Sequence, residues 1–331
     1  MWEVSRRASS VLRTLSSVAL IILAVWVFVN RQYLIDQWAV INYTPSSEIE
    51  AIADRASLTG DSRFLLEASR TEIMDRNNFN QVCRSATTEK SAVLGCYVNW
   101  RIYLFNIDNP RLDGVKEVTA AHEVLHAAYD RMSDAERDRV DTLIAQQDLG
   151  NSKERIDGLM KEYARTEPGQ GKNELHSIVG TEVATLSPEL EEYYSRYFDD
   201  RSKLVQLSSK YISVFNELKE RQDTIVQELD QLAEQINAKS DEYSRSQDAL
   251  NSDIQSFNSR ASSGSMTRAE YDSQRAVLAS RRASLASEYE QIKLLIDQHN
   301  AKRNELIAIN ADADTLNRSI NSSLTAPQEI E

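Results

Sequence analysis

The chain has 331 residues, 41% of them hydrophobic and 27% charged, with only 9 glycines and 5 prolines. So few breakers favour long helices and argue against a β-sandwich or barrel, which turns every dozen residues or so. A net charge of −13 argues against a nucleic-acid binder, whose footprint is a basic face.

The length allows about two domains at roughly 150 residues each. At 7% aromatic residues, one large core spanning the whole chain is not expected. The charge is uneven: residues 1–31 carry +3, residues 32–200 carry −12, and residues 201–322 carry −2.

The segment Leu15–Val29 reads LSSVALIILAVWVFV, with no charge between Arg13 and Arg31. Extended by Thr14 and Asn30, it approaches the span of about 17–25 residues that a bilayer requires. A cleaved signal peptide is the rival, but no small-x-small site follows, since Val27, Phe28 and Val29 are bulky. The expectation is a cytoplasmic N-terminus over 1–13 and a single-pass anchor over 14–31. Three arginines precede the apolar run and one follows it, so the remainder is expected outside the cell membrane. Trp26 and Trp38 are candidates for the outer interface.

Cys83 and Cys96 are the only cysteines. Each sits in a β-like run, with polar residues between them. Two antiparallel strands joined by that loop would form a disulfide in an oxidising compartment. A metal pair is the alternative, without CxxC spacing or a neighbouring histidine to support it.

Short helices are expected after Ser46 or Ser47 and over 62–74, followed by strands near 79–84, 92–98 and 101–107. Asp113 is expected to cap a helix to about Met132. Ser133 with Glu136 forms a capping box for the next. Further helices follow over 152–165, from Asn173, and from Ser187-Pro188 to about residue 200. From Arg201 apolar residues recur at three and four, broken near Gly264 and resumed after the capping box Thr267/Glu270. This predicts an antiparallel coiled-coil hairpin over 201–322 with its tip near 264, then a polar tail over 323–331.

His122-Glu123-Val124-Leu125-His126 is HExxH on a helix. Residues i and i+4 share a helix face, so both imidazoles can reach one Zn²⁺. Glu123 is placed to take a proton from metal-activated water and hand it to a leaving amine. The flanks are apolar (Val118, Ala120, Ala121, Val124, Leu125), so the histidines need partners. No histidine follows at the short metzincin spacing.

With Asn173-Glu174-Leu175-His176-Ser177 opening a helix downstream, the chain over about 95–200 resembles the gluzincin clan of zinc metallopeptidases, the thermolysin-like group. The resemblance implies His122, His126 and Glu174 as zinc ligands and Glu123 as general base. It implies an edge strand at 101–107 that pairs with an extended substrate, and a histidine, here His176, that stabilises an oxyanion. The aspartate that usually follows the motif's serine is Ile178 here, which leaves Glu182 as an orienting group or as the alternative ligand. Tyr193, Tyr194 and Tyr197 are expected to pack in the core. The arrangement also resembles bacterial membrane-anchored HExxH proteins.

The reading is therefore an α+β zincin-like domain over 45–200, mostly helical with a small sheet, followed by the coil. The expected function is extracytoplasmic hydrolysis of a peptide or protein substrate, with Zn²⁺ as cofactor, a protein partner for the coil, and no nucleic acid. The alternative is a non-catalytic envelope scaffold working through the coil, with a structural or vestigial metal site.

Overall fold

The computed structural model describes residues 2–83, 94–166 and 169–321. The elements are α1 (Trp2–Val29), α2 (Arg31–Ile41), α3 (Ser47–Arg55), α4 (Gly60–Ala68), β1 (Glu72–Met74), α5 (Arg76–Cys83), β2 (Gly95–Val98) and β3 (Arg101–Phe105). There follow α6 (Val115–Arg131), α7 (Asp134–Ala145), α8 (Lys153–Thr166), α9 (Gly171–Glu182), α10 (Pro188–Tyr194), α11 (Arg201–Ser262) and α12 (Arg268–Ile320). The protein is mostly helical, with one three-stranded sheet and two long C-terminal helices.

The expected 14–31 span lies on a helix that ends at Val29, with a break at Asn30. Among the described residues no single helix is long and apolar enough to cross a membrane. Ser16–Val29 and Arg31–Ile41 pass that test only together, across a bend of 70°.

Local chemistry sets most helix starts. Ser46 accepts from the Ile49 amide, Thr59 from Ser62, and Ser187 from Leu190 with Pro188 in the first turn. Ser133 and Glu136 close a full capping box. Two expected caps differ. Gly114, at φ +99°, caps α6, while Asp113 instead pairs with Arg55 and Lys210. A Cβ on Gly114 would lie 2.8 Å from Leu207 Cβ, so packing as well as dihedral requires glycine. Helix α9 begins at Gly171, which puts Asn173 inside its first turn.

The strand expected at 79–84 is helix α5. Asp75 accepts from the Asn77 and Asn78 amides, which starts a helix, and Phe79 and Cys83 then fall on one buried face. The helix expected through Met74 stops at Ala68, and Glu72–Met74 forms β1. The last helix before the coil ends at Tyr194, short of residue 200.

The sheet order is β1-β3-β2, with β1 parallel and β2 antiparallel to β3. Arg101–Phe105 is therefore the central strand and not an edge. Asn99 and Trp100, at φ +52° and +63°, make the two-residue turn that joins β2 to β3. Cys83 and Cys96 form the expected disulfide, but it ties the end of α5 to β2 instead of joining two strands. The polar stretch expected as its loop falls outside the described residues, as does the tail 323–331.

Helix α6 is the hub of the core. It packs against α9, α3, α4, β2 and β3. Val124, Leu125, Ile102, Leu104, Ile178, Leu190 and Tyr194 are fully or almost fully buried around it. The 194–200 segment is tied back by Thr59 N donating to Tyr197 O and Asp199 N to Ser57 O.

Helices α11 and α12, of 62 and 53 residues, form the hairpin. Phe257 packs on Tyr271 and Tyr243 on Tyr289, and Lys302 pairs with Glu228, so the arms run antiparallel from the tip. Gly264 takes φ +72° at that tip, and the Thr267/Glu270 box starts the second arm.

Candidate metal centre

Two helices build the site. The i, i+4 spacing on α6 turns both imidazoles to one side, where His122 Nε2 and His126 Nε2 lie 3.0 Å apart. The first turn of α9 brings Glu174 across, with Oε2 3.5 Å from His122 Nε2 and Oε1 3.4 Å from His126 Nε2. His126 and Glu174 are buried, and His122 keeps part of its edge open to solvent. Three donors at zinc-ligand distances of about 2.0–2.2 Å in a tetrahedron stand roughly 3.3–3.6 Å from one another. His122, His126 and Glu174 come close to that spacing, with a different Glu174 oxygen facing each histidine, and the three residues could hold a metal ion. Glu174 Oε2 is buried without a hydrogen bond, which such an ion would satisfy.

The electrostatics also call for positive charge at the centre. Burial alone would lower the His126 imidazole. The Glu174 carboxylate facing it outweighs burial and raises it to about 9. Burial would likewise raise Glu174, yet the positive charge of His126, with His122 beside it, pulls it well below the usual carboxylate range. Below about pH 9 a proton on His126 would supply that charge, and a metal would displace it.

Glu123 is also buried, and α6 carries it to the side facing β2. A Cβ built on Gly95 would stand 2.7 Å from Glu123 Oε1, 2.9 Å from its Cγ and 2.6 Å from Thr119 Cγ2. Only glycine lets β2 approach the helix this closely. The next residue, Cys96, is bonded to Cys83 on α5, so the strand that presses on Glu123 is covalently fixed.

Glu182 is not part of the cluster; its carboxylate pairs with Arg155, and Glu174 alone of the two faces the histidines. His176 is fully buried. Its Nε2 lies 2.8 Å from the Tyr193 hydroxyl, and its ring packs among Tyr129, Tyr193 and Tyr194. Burial, with His126 and His122 nearby, drives its pKa down to about 3, so it is neutral. An imidazole enclosed in this way presents no surface to an oxyanion. Tyr194 and Tyr197 are core residues as expected, and the Tyr194 hydroxyl donates to His176 O.

Three contributors carry weak sequence signals. Gly95 precedes a short strand and looks like any turn glycine. Asn173 contacts His126 from the same turn as Glu174. Arg131, at the end of α6, donates to Asp36 at 2.9 and 2.8 Å, to Tyr97 Oη at 3.0 Å and to Ala127 O. The only acid in the apolar stretch 31–41 was the available clue to that ion pair.

No protein-family model, curated protein or solved structure matches the chain.

Proposed function

We propose that the protein is a membrane-anchored, extracytoplasmic zinc metallopeptidase of gluzincin type. The observation that supports this most is the His122–His126–Glu174 cluster, with the two imidazole nitrogens 3.0 Å apart, a different Glu174 oxygen 3.4–3.5 Å from each, and a solvent-facing side on His122. Two imidazoles and one carboxylate form the three-ligand donor set of a catalytic zinc, which leaves one position open. Zinc held there would act as a Lewis acid toward the scissile carbonyl and would acidify water towards neutrality. Glu123 receives the proton from that water and returns it to the leaving amine. Gly95 and the Cys83–Cys96 bridge hold the Glu123 carboxylate in place. The edge for an extended substrate is then β2, which lies beside Glu123 and carries an outer edge unpaired among the described residues. His176 has a positioning role, filling the α9 side beneath the ligands.

The apolar run of α1 is the anchor in this reading. The test is metal analysis and peptide-library hydrolysis with the full chain and Glu123→Gln. About one zinc per chain in both, with hydrolysis reduced by about 10²–10⁴-fold in the variant, is expected. Hydrolysis unchanged in Glu123→Gln would rule out the mechanism.

A further inference from the structure

Helix α2 is held on one face and bare on the other. Asp36 and Ala39 are buried, and Asp36 takes both hydrogen bonds from the Arg131 fork. Arg131 closes the last turn of α6, five residues past His126, so α2 is fastened about 7.5 Å along the helix from a metal ligand. On the opposite face Ile35, Trp38 and Ile41 are 54%, 59% and 79% exposed. Their spacing of three places them on one side of the helix. Arg70 stacks its guanidinium 4.9 Å from the centre of the Trp38 ring, a cation beside the apolar face.

The preceding helix indicates what covers this face. The run Val18–Val29 on α1 exposes its apolar side chains throughout, and only the five residues Asn30, Arg31, Gln32, Tyr33 and Leu34 separate it from the α2 face. The two helices meet at 70°. With α1 along the bilayer normal, α2 lies about 20° from the membrane plane, the orientation of an interfacial amphipathic helix. At 11 residues it is too short to cross. Tryptophan with an adjacent arginine is the chemistry of the headgroup layer. The acidic charge of residues 32–200 disfavours an anionic surface and selects apolar insertion over charge attraction.

We propose that α2 lies in the headgroup region of the bilayer and, through Asp36–Arg131, holds the metal centre beside the membrane. The substrate class is then a peptide segment tethered to the same bilayer: a juxtamembrane stretch or a lipid-linked chain. This rests on reading α1 as an anchor and the centre as a peptidase.

The experiment uses the full chain in phosphatidylcholine vesicles containing lipids brominated either near the top of the acyl chain or near its end. The fluorescence of Trp38 is read as the difference between the natural chain and Trp38→Phe, and that of Trp26 in the same way. Trp38 should be quenched by about twofold or more by the shallow bromines, and Trp26, four residues before the Asn30 break and so about 6 Å further in, by both sets. Trp26 quenched with Trp38 unquenched would keep the anchor and overturn the interfacial helix; a protein partner would then be what covers α2. Neither quenched would overturn both. In the same vesicles, a peptide carrying an acyl chain should be cut at least about tenfold faster than the same peptide without one, and detergent should abolish the difference. Equal rates would overturn the substrate class. Cleavage of neither peptide would remove the peptidase reading, while the quenching still decides the membrane contact.

Discussion

Two helix pairs in this chain solve opposite problems. In α11–α12 the inner face is apolar, with Leu218, Ile225, Leu250, Ile292 and Ile309 buried, and charges such as Glu228 and Lys302 pair at the rim. Exposed pairs of that kind contribute about 0–1 kcal/mol each, so the hydrophobic seam holds the hairpin. In α6–α9 the two helices bury His126, Glu174, His176, Ser177 and Thr181. Buried polar groups cost stability unless each finds a partner. The Thr181 hydroxyl is satisfied by Ser177 O and His176 by Tyr193, while Glu174 Oε2 facing His122 is left without a hydrogen bond. The coil buries an apolar seam; the α6–α9 interface gathers buried polar groups.

The sharpest way to break that contrast is to remove a donor. His122→Ala, His126→Ala or Glu174→Gln should each lower zinc affinity by about 10³-fold or more, since a three-ligand site loses a bond and keeps an uncompensated neighbour. Elemental analysis after dialysis measures this. Glu182→Gln, which only loses its Arg155 partner, should retain the metal. Retained stoichiometric zinc in the double histidine variant would show that these donors are not the site.

A smaller effect separates holding the metal from using it. Gly95→Ala pushes a methyl group into Glu123 and Thr119 without touching a ligand. Hydrolysis should fall by about 10–100-fold while zinc content stays at one per chain. Reduction of Cys83–Cys96 should act in the same direction, because it frees the strand that carries Gly95. Loss of zinc in Gly95→Ala would instead make β2 part of the metal scaffold.

The pH dependence is gentler still. His126 is raised to about 9, so below that pH the metal-free centre carries a proton that zinc must expel. Apparent zinc affinity should weaken by about tenfold per unit as pH falls from 9 to 7, accompanied by release of a proton on binding. The same shift means that the proton stabilises the metal-free fold fully below the unfolded imidazole value of about 6.5. That contribution is lost as pH rises through about 9. Competition titration with a chelating dye across that range measures the slope, and a flat profile would remove the coupled proton.

The sequence carried the parts of this design that depend on period and spacing. The coil, its tip at Gly264, the Ser133 capping box and the two α6 histidines follow from repeats of three, four and seven. Local pattern could not separate α5 from a strand: its apolar residues fit either period, and the Asx turn at Asp75 decides. Strand order was likewise hidden, because β1 is three residues long and pairs in parallel with β3 across an intervening helix. Glu174 was legible through its neighbours in the motif. The fully buried setting of His176 was not, since the tyrosines that enclose it come from α6 and α10.

The smallest expected effect is that of deleting most of the hairpin, and where to cut decides its meaning. Residues 201–214 belong with the globular part. Leu204 is fully buried, Leu207 and Tyr211 pack on the core, and Arg201 donates to Val183 O and pairs with Glu191. The end of α12 is tied there as well: Arg318 O accepts from Arg76, and the Ser319 hydroxyl from Asn109. A deletion that began at 208 would expose apolar surface and confuse folding with function. Removing 215–316 and joining 214 to 317 by a short glycine-serine linker spares all of these contacts. The excised seam is satisfied within itself, so metal content should be unchanged and cleavage of a small soluble peptide should stay within about threefold. If the coil binds a partner, as proposed from its arms of roughly 80–90 Å, action on that partner is what should change. If the shortened protein loses zinc or unfolds, the coil is part of the metal scaffold, and the separation between a reaching pair and a reactive pair of helices is wrong.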